Sequence, residues 1–197
     1  DEYYHDFSRL SALPLLSKFH NLIVLRVFED WNNIGLSDCG YAIINEQLLE
    51  KIESNSNSYR LERAAAKKCL EIIENRKFCD DQIELIQKQA LHVAKALTGY
   101  GVNCQLVPAN FILLEFTNAG EIQKYLNSYG LRVERLGQDG PLRNYLRCQI
   151  SGSDQDNQII EAFSRMPAEL LNTQARPFRA TRALAVNNQE KDKFTLR

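Results

Sequence analysis

The sequence predicts a mixed fold, α/β at its start and α+β beyond, and three observations carry that prediction. Asn21 to Phe28 is a nearly continuous apolar run rich in branched residues. Such a run suits a strand buried on both faces of a parallel sheet. Ser54-Asn-Ser-Asn-Ser58 is a polar break, where a hinge between domains is expected. Beyond it the helix- and strand-period segments follow in the order ααββαββα, which implies an antiparallel sheet with helices on one side.

Each element has its own local reason. Asp1 to Phe7 reads as the exit from a strand, and Leu13 to Phe19 as a short helical stretch broken by Pro14. Gly40 to Ile44 is a second short strand, after which Asn45 caps a helix to about Ile52. Helical spacing then covers residues 60–75 and 81–97. In the second of these, Ile83, Leu85, Ile86, Ala90, Val93, Ala94 and Leu97 form one apolar stripe, closed by Tyr100-Gly101. Strands are expected at 103–107, 111–116, 131–136 and 145–150, with a helix at 121–129. A last helix begins after Ser153-Asp154 and ends near Met166, and beyond Pro167 the periodicity fades into a polar tail.

Composition narrows the function classes. Of 197 residues, 44% are apolar and the formal net charge is -1, so no electrostatic bias favours nucleic acid or an anionic membrane. No run reaches the roughly 18 apolar residues that span a bilayer. The five cysteines, Cys39, Cys69, Cys79, Cys104 and Cys148, form no CxxC pair and share no ligand spacing with His5, His20 or His92. They read as free thiols of a reducing, cytoplasmic compartment, and no metal site is expected. The chain opens on Asp1, carries one methionine at Met166 and closes on Arg197, so a piece of a longer polypeptide is expected.

Five segments in one register carry a resemblance. Asp1-Glu-Tyr-Tyr4 resembles the Asp-Glu-Ala-Tyr motif of fold-type-I aminotransferases. Pro108-Ala-Asn-Phe-Ile-Leu113 is similar to that family's Ala-Asn-Phe-Ile strand, and Asn144-Tyr-Leu-Arg-Cys-Gln-Ile-Ser-Gly152 to its Asn-Tyr-Leu-Arg strand. Asn21 to Arg26 and Gly40 to Asn45 fit between them, and the match over residues 1–166 is closest to histidinol-phosphate aminotransferases. The resemblance implies the C-terminal part of a pyridoxal-phosphate-dependent transferase fold. Residues 1–57 would be the edge of the cofactor-binding large domain, 58–166 the α+β small domain, and 167–197 a tail or a linker to a fused domain.

It also implies chemistry. Asp1 would hold the cofactor's pyridine nitrogen protonated, and Tyr4 would hydrogen-bond the ring's 3-oxygen. Arg147 would grip a substrate carboxylate with two parallel hydrogen bonds. The implied partners are a small-molecule amino donor, with histidinol phosphate first, and a 2-oxo acid, 2-oxoglutarate. A homodimer is implied for the full-length parent. Read without the family, Asp1 is a turn residue and Arg147 a surface cation.

One departure stands against activity. Counting without gaps from Arg26 to Gly40, the family's lysine column holds Asp30 and its phosphate-binding arginine column holds Asp38. Lys18 and Lys51 do not stand at that position, so no catalytic residue is assigned and covalent attachment of pyridoxal 5′-phosphate is not expected. A silent binding or dimerisation module, a relative with other chemistry, and a frame shift over residues 28–39 remain three open explanations. Threonine-phosphate decarboxylase and aromatic aminotransferases are the rivals within the fold. A second departure puts Glu134 in a column where the family commonly has arginine, with Arg132 and Arg135 beside it.

Overall fold

The computed structural model describes residues 1–28, 39–53, 61–151 and 154–171. They fall into two compact units that divide between Leu85 and Ile86. The polar stretch 54–58, where the sequence places a hinge, lies outside the described residues, as does the tail from 172 onward.

The first unit opens with a single helical turn, α1 (His5–Ser8), where the sequence reads as the exit of a strand. Strand character survives at one point, the bond from the Glu2 N–H to the Leu25 carbonyl at 2.8 Å. A 3-10 turn over Leu13–Leu15 has Pro14 in its first turn, where a missing N–H costs nothing. Strands β1 (Val24–Val27) and β2 (Gly40–Ile43) pair antiparallel, Val24 opposite Ile43. This corrects the expectation of a strand buried on both faces of a parallel sheet. The sheet has two strands, Val24 is buried, and Ile23 and Leu25 are exposed. Helix α2 (Glu46–Glu53) is capped as expected, with Asn45 Oδ1 accepting the Leu48 N–H at 3.0 Å. Helix α3 (Arg63–Glu74) follows, and α4 (Arg76–Gly99) begins one residue after it ends its run at Asn75.

Along α4 the predicted stripe is buried at Ile83, Ile86, Ala90, Val93, Ala94 and Leu97, but Leu85 is exposed. The α-helical period explains the exception, because Ile83, Ile86 and Ala90 share a face that a residue at 85 leaves. The helix stops at Gly101, whose φ of 83° admits the left-handed turn. The Val102 N–H reaches the Leu97 carbonyl at 3.1 Å and the Gly101 N–H the Thr98 carbonyl at 2.9 Å, closing the last turn.

The second unit is a four-stranded antiparallel sheet of order β3-β4-β6-β5, formed by β3 (Asn103–Leu106), β4 (Phe111–Glu115), β5 (Glu134–Arg135) and β6 (Tyr145–Gln149). Helices α5 (Ala119–Ser128) and α6 (Asp154–Ser164) complete it. Alternation sends Cys104, Leu106, Ile112, Leu114, Leu146 and Cys148 to one face, and all are buried. Phe116 and Phe163 stack there at 6.1 Å between centroids. Asp156 is the one buried charge among the described residues, its Oδ1 accepting the Ser151 N–H at 3.2 Å. Strand β5 is shorter than the expected 131–136, because Leu131 and Val133 are buried outside the ladder.

Candidate functional site

Asp1 and Tyr4 belong to the first unit. Asp1 is exposed, and its Oδ1 accepts the Tyr3 N–H at 2.9 Å, the turn geometry common to a short acidic side chain. Tyr4 is half-buried, its ring 4.8 Å from that of Tyr3 and 6.4 Å from that of Phe7. Both residues line one open groove of about 730 Å³, walled also by Ser8, Leu15, Leu22 and Ile23. The structure therefore brings the two candidate cofactor residues to one concavity.

What fixes the segment is a pair the sequence reading passed over. Glu2 accepts from Arg26 Nε at 2.9 Å, from the Ala12 N–H at 2.6 Å and from Ser11 Oγ at 3.0 Å. The Glu2–Arg26 ion pair spans 2.9 Å, with the side chains only 12% and 14% exposed. Burial alone would raise the Glu2 carboxyl, but these donors outweigh it and hold the group below its usual 4.5. The signal for the pair was present, since both partners lie inside quoted motifs, but spacing along a chain does not reveal cross-element pairing.

A second concavity of about 300 Å³ is lined by Arg26, Phe28, Tyr41 and Arg76, among others. Arg76 binds Asp6 at 2.6 Å and Asp80 at 3.2 Å. Partial burial works against its charge, but the two carboxylates hold the guanidinium above its ordinary range. Arg9 in turn meets Asp80 at 2.6 Å.

Arg147 belongs to the second unit and stands on β6, opposite Leu113 on one side and Glu134 on the other. Its guanidinium lies 4.6 Å above the Phe111 ring centroid, and its NH1 meets Glu134 Oε2 at 3.2 Å. The side chain is 32% exposed, so the cation is reachable but engaged.

The fit to a pyridoxal phosphate is therefore partial. A carboxylate and a phenol on one groove suit a protonated pyridine ring and its 3-oxygen. The phosphate end is not matched, because Arg26 and Arg76 are both committed to carboxylates. Asp30 and Asp38, the lysine and arginine columns, lie outside the described residues. Cys69, Cys104 and Cys148 offer no alternative nucleophile of raised reactivity. No disulfide joins the five cysteines, and burial pushes Cys104 and Cys148 up to about 12 and Cys69 upward as well. No cluster of metal-ligating side chains occurs among the described residues, and none of their helices is long and apolar enough to cross a membrane.

Comparison with solved structures decides the fold. The histidinol-phosphate aminotransferase of Clostridium acetobutylicum superposes with a TM-score of 0.72 at 16% identity, over 83% of this chain and 52% of that one. The chain has the fold of a pyridoxal-phosphate-dependent aminotransferase. The L-threonine-O-3-phosphate decarboxylase of Porphyromonas gingivalis shares it, with a TM-score of 0.63 at 20% identity, over 76% of this chain and 47% of that one. Among curated proteins, histidinol-phosphate aminotransferase 1 of Carboxydothermus hydrogenoformans is 28% identical over 162 residues, 82% of this chain and 46% of its own length. The chain thus spans about half the length of the curated relatives it matches. No family model matches the chain. The resemblance drawn from the five motifs is borne out by these relatives.

Proposed function

We propose that this chain is the C-terminal half of a pyridoxal-phosphate-dependent aminotransferase, with residues 1–57 at the edge of the cofactor domain and 58–166 as the small domain. The reading is carried by one observation. Asp1 and Tyr4 share a groove on a segment that the buried Glu2–Arg26 pair locks to β1. The cofactor, when bound, supplies an electron sink for the α-carbon of an amino substrate. Asp1 would hold a proton on its pyridine nitrogen and Tyr4 would orient its ring. Arg147 would bind and orient the carboxylate of a substrate, as in the 2-oxo acid. The parent reaction is amino transfer from histidinol phosphate, the donor for which the relatives are named, to 2-oxoglutarate. The parent works as a cytoplasmic homodimer in histidine biosynthesis.

As written, the chain is catalytically silent, since Asp30 stands where a lysine is required to anchor the cofactor and move the proton. That same residue, with Asp38, favours the second reading, a binding or dimerisation module that kept the fold without the chemistry. One experiment covers both. The chain is refolded with the half of the Carboxydothermus relative that it does not span, pyridoxal phosphate is added, and the mixture is reduced with borohydride. The proposal expects cofactor retained by the complex, no covalent adduct on this chain, and loss of retention in Asp1→Asn. No retention in the intact complex would refute the aminotransferase reading, and a covalent adduct would refute silence.

A further inference from the structure

The sheet of the second unit turns one face to its core and the other outward. The outward positions, by strand alternation and register, are Asn103 and Gln105 on β3, Phe111, Leu113 and Glu115 on β4, Tyr145, Arg147 and Gln149 on β6, and Glu134 on β5. That face carries one cation, Arg147, and two anions, Glu115 and Glu134. Polar contacts tie much of it together, with Asn103 donating to Glu115 and Gln105 Nε2 to the Tyr145 hydroxyl at 3.3 Å. Arg135, next along β5, falls by alternation on the opposite face, paired with Leu146. Its Nε and NH2 donate to the Arg143 and Gln138 carbonyls at 3.3 and 3.4 Å.

We infer that Glu134 sets which anions Arg147 accepts: an incoming carboxylate or phosphate must displace the Glu134 carboxylate from the guanidinium, at a penalty that grows with the incoming charge. Register supports this, because Glu134 and Arg147 are directly paired across β5 and β6 and meet at 3.2 Å. Phe111 lies under the guanidinium at 4.6 Å, a contact that favours the orientation facing Glu134. Exposure supports it too: Glu134 is 62% exposed, which makes it a loose partner that can be pushed aside. A dianion meets the repulsion of Glu134 twice over compared with a monoanion, so the pair discriminates by charge and not by shape. Glu134 is thus a specificity-determining residue. The inference rests on the proposed role of Arg147 but concerns only its anion preference.

The test uses the full chain with nitrogen-15-labelled arginines, and the probes are inorganic phosphate and acetate. Phosphate and acetate affinities are read by isothermal titration calorimetry in every variant, and in chains that keep Arg147 its Nε–H resonance is followed as well. Replacing Glu134 with Gln is expected to tighten phosphate at least about threefold, the scale of one exposed charge pair, and acetate by less. Glu134→Arg is expected to tighten phosphate further, and the double variant Glu134→Gln/Arg147→Gln to lose the gain. Equal phosphate affinity in wild type and Glu134→Gln, with unchanged circular dichroism, would overturn the inference. So would a gain that persists without Arg147. Should Glu134→Gln fail to fold, Glu134→Ala removes the same charge without adding a cation and carries the same decision. Failure of the aminotransferase reading is separate, since cofactor retention by the refolded complex does not involve Glu134.

Discussion

The two units handle their apolar residues in opposite ways. Among the described residues, the second unit buries 24 hydrophobic side chains and exposes four large ones, whereas the first buries six and exposes 14. The four-stranded sheet has a core of its own, with Ile112, Leu114, Leu146 and Ile150 at the limit of burial. The two-stranded sheet does not, and Ile23, Leu25 and Tyr41 stand in solvent beside it. Exposed apolar side chains at such density mark a surface suited to interaction. A chain that spans about half the length of its relatives would show such an imbalance. To its six buried hydrophobic side chains the first unit adds the ion pairs Glu2–Arg26, Arg76–Asp6 and Arg9–Asp80, of which the first is the most buried.

That contrast can be broken in order of effect. Leu146→Ala, in the fully buried sheet core, is expected to cost about 2–5 kcal/mol and to lower the denaturant midpoint of the second unit. A smaller loss would mean that the core is looser than its burial implies. Asp156→Ala removes a buried carboxylate that accepts the half-buried Ser151 N–H and is expected to cost about 1–3 kcal/mol, read by the same titration. Acid probes the first unit through Glu2. Because Glu2 is held below 4.5, its contribution is complete above that pH and disappears as pH falls through the lowered value. Chemical shifts around β1 should therefore move on acidification, and Glu2→Gln should abolish that dependence. The smallest effect is expected from Glu161→Ala. Its partner Arg165 lies 2.5 Å away, but the two side chains are 56% and 62% exposed, so the change should stay within about 0.5 kcal/mol.

The comparison also shows what a sequence exposes and what it hides. Helix α4, its glycine stop and the Asn45 cap were readable because each depends on neighbours three or four residues away. The outward arginine of β6 was readable through a motif, and Glu134 through its departure from one. The Glu2–Arg26 pair was not, because its partners are 24 residues apart and meet only when β1 forms. Asn21 to Phe28 misled for a related reason. A run of apolar residues reports that both faces of a strand want cover, not that the chain itself provides it, and here one face is left open at Leu25.

Amide hydrogen exchange on the intact chain tests the central contrast most directly, since it reads the opening free energy of each strand separately. Amides of β3, β4 and β6 should exchange only through global opening of their unit, and those of β1 and β2 should exchange much faster through local opening. Equal protection of the two sheets would contradict the account, because it would show that the first unit already possesses all the packing it needs.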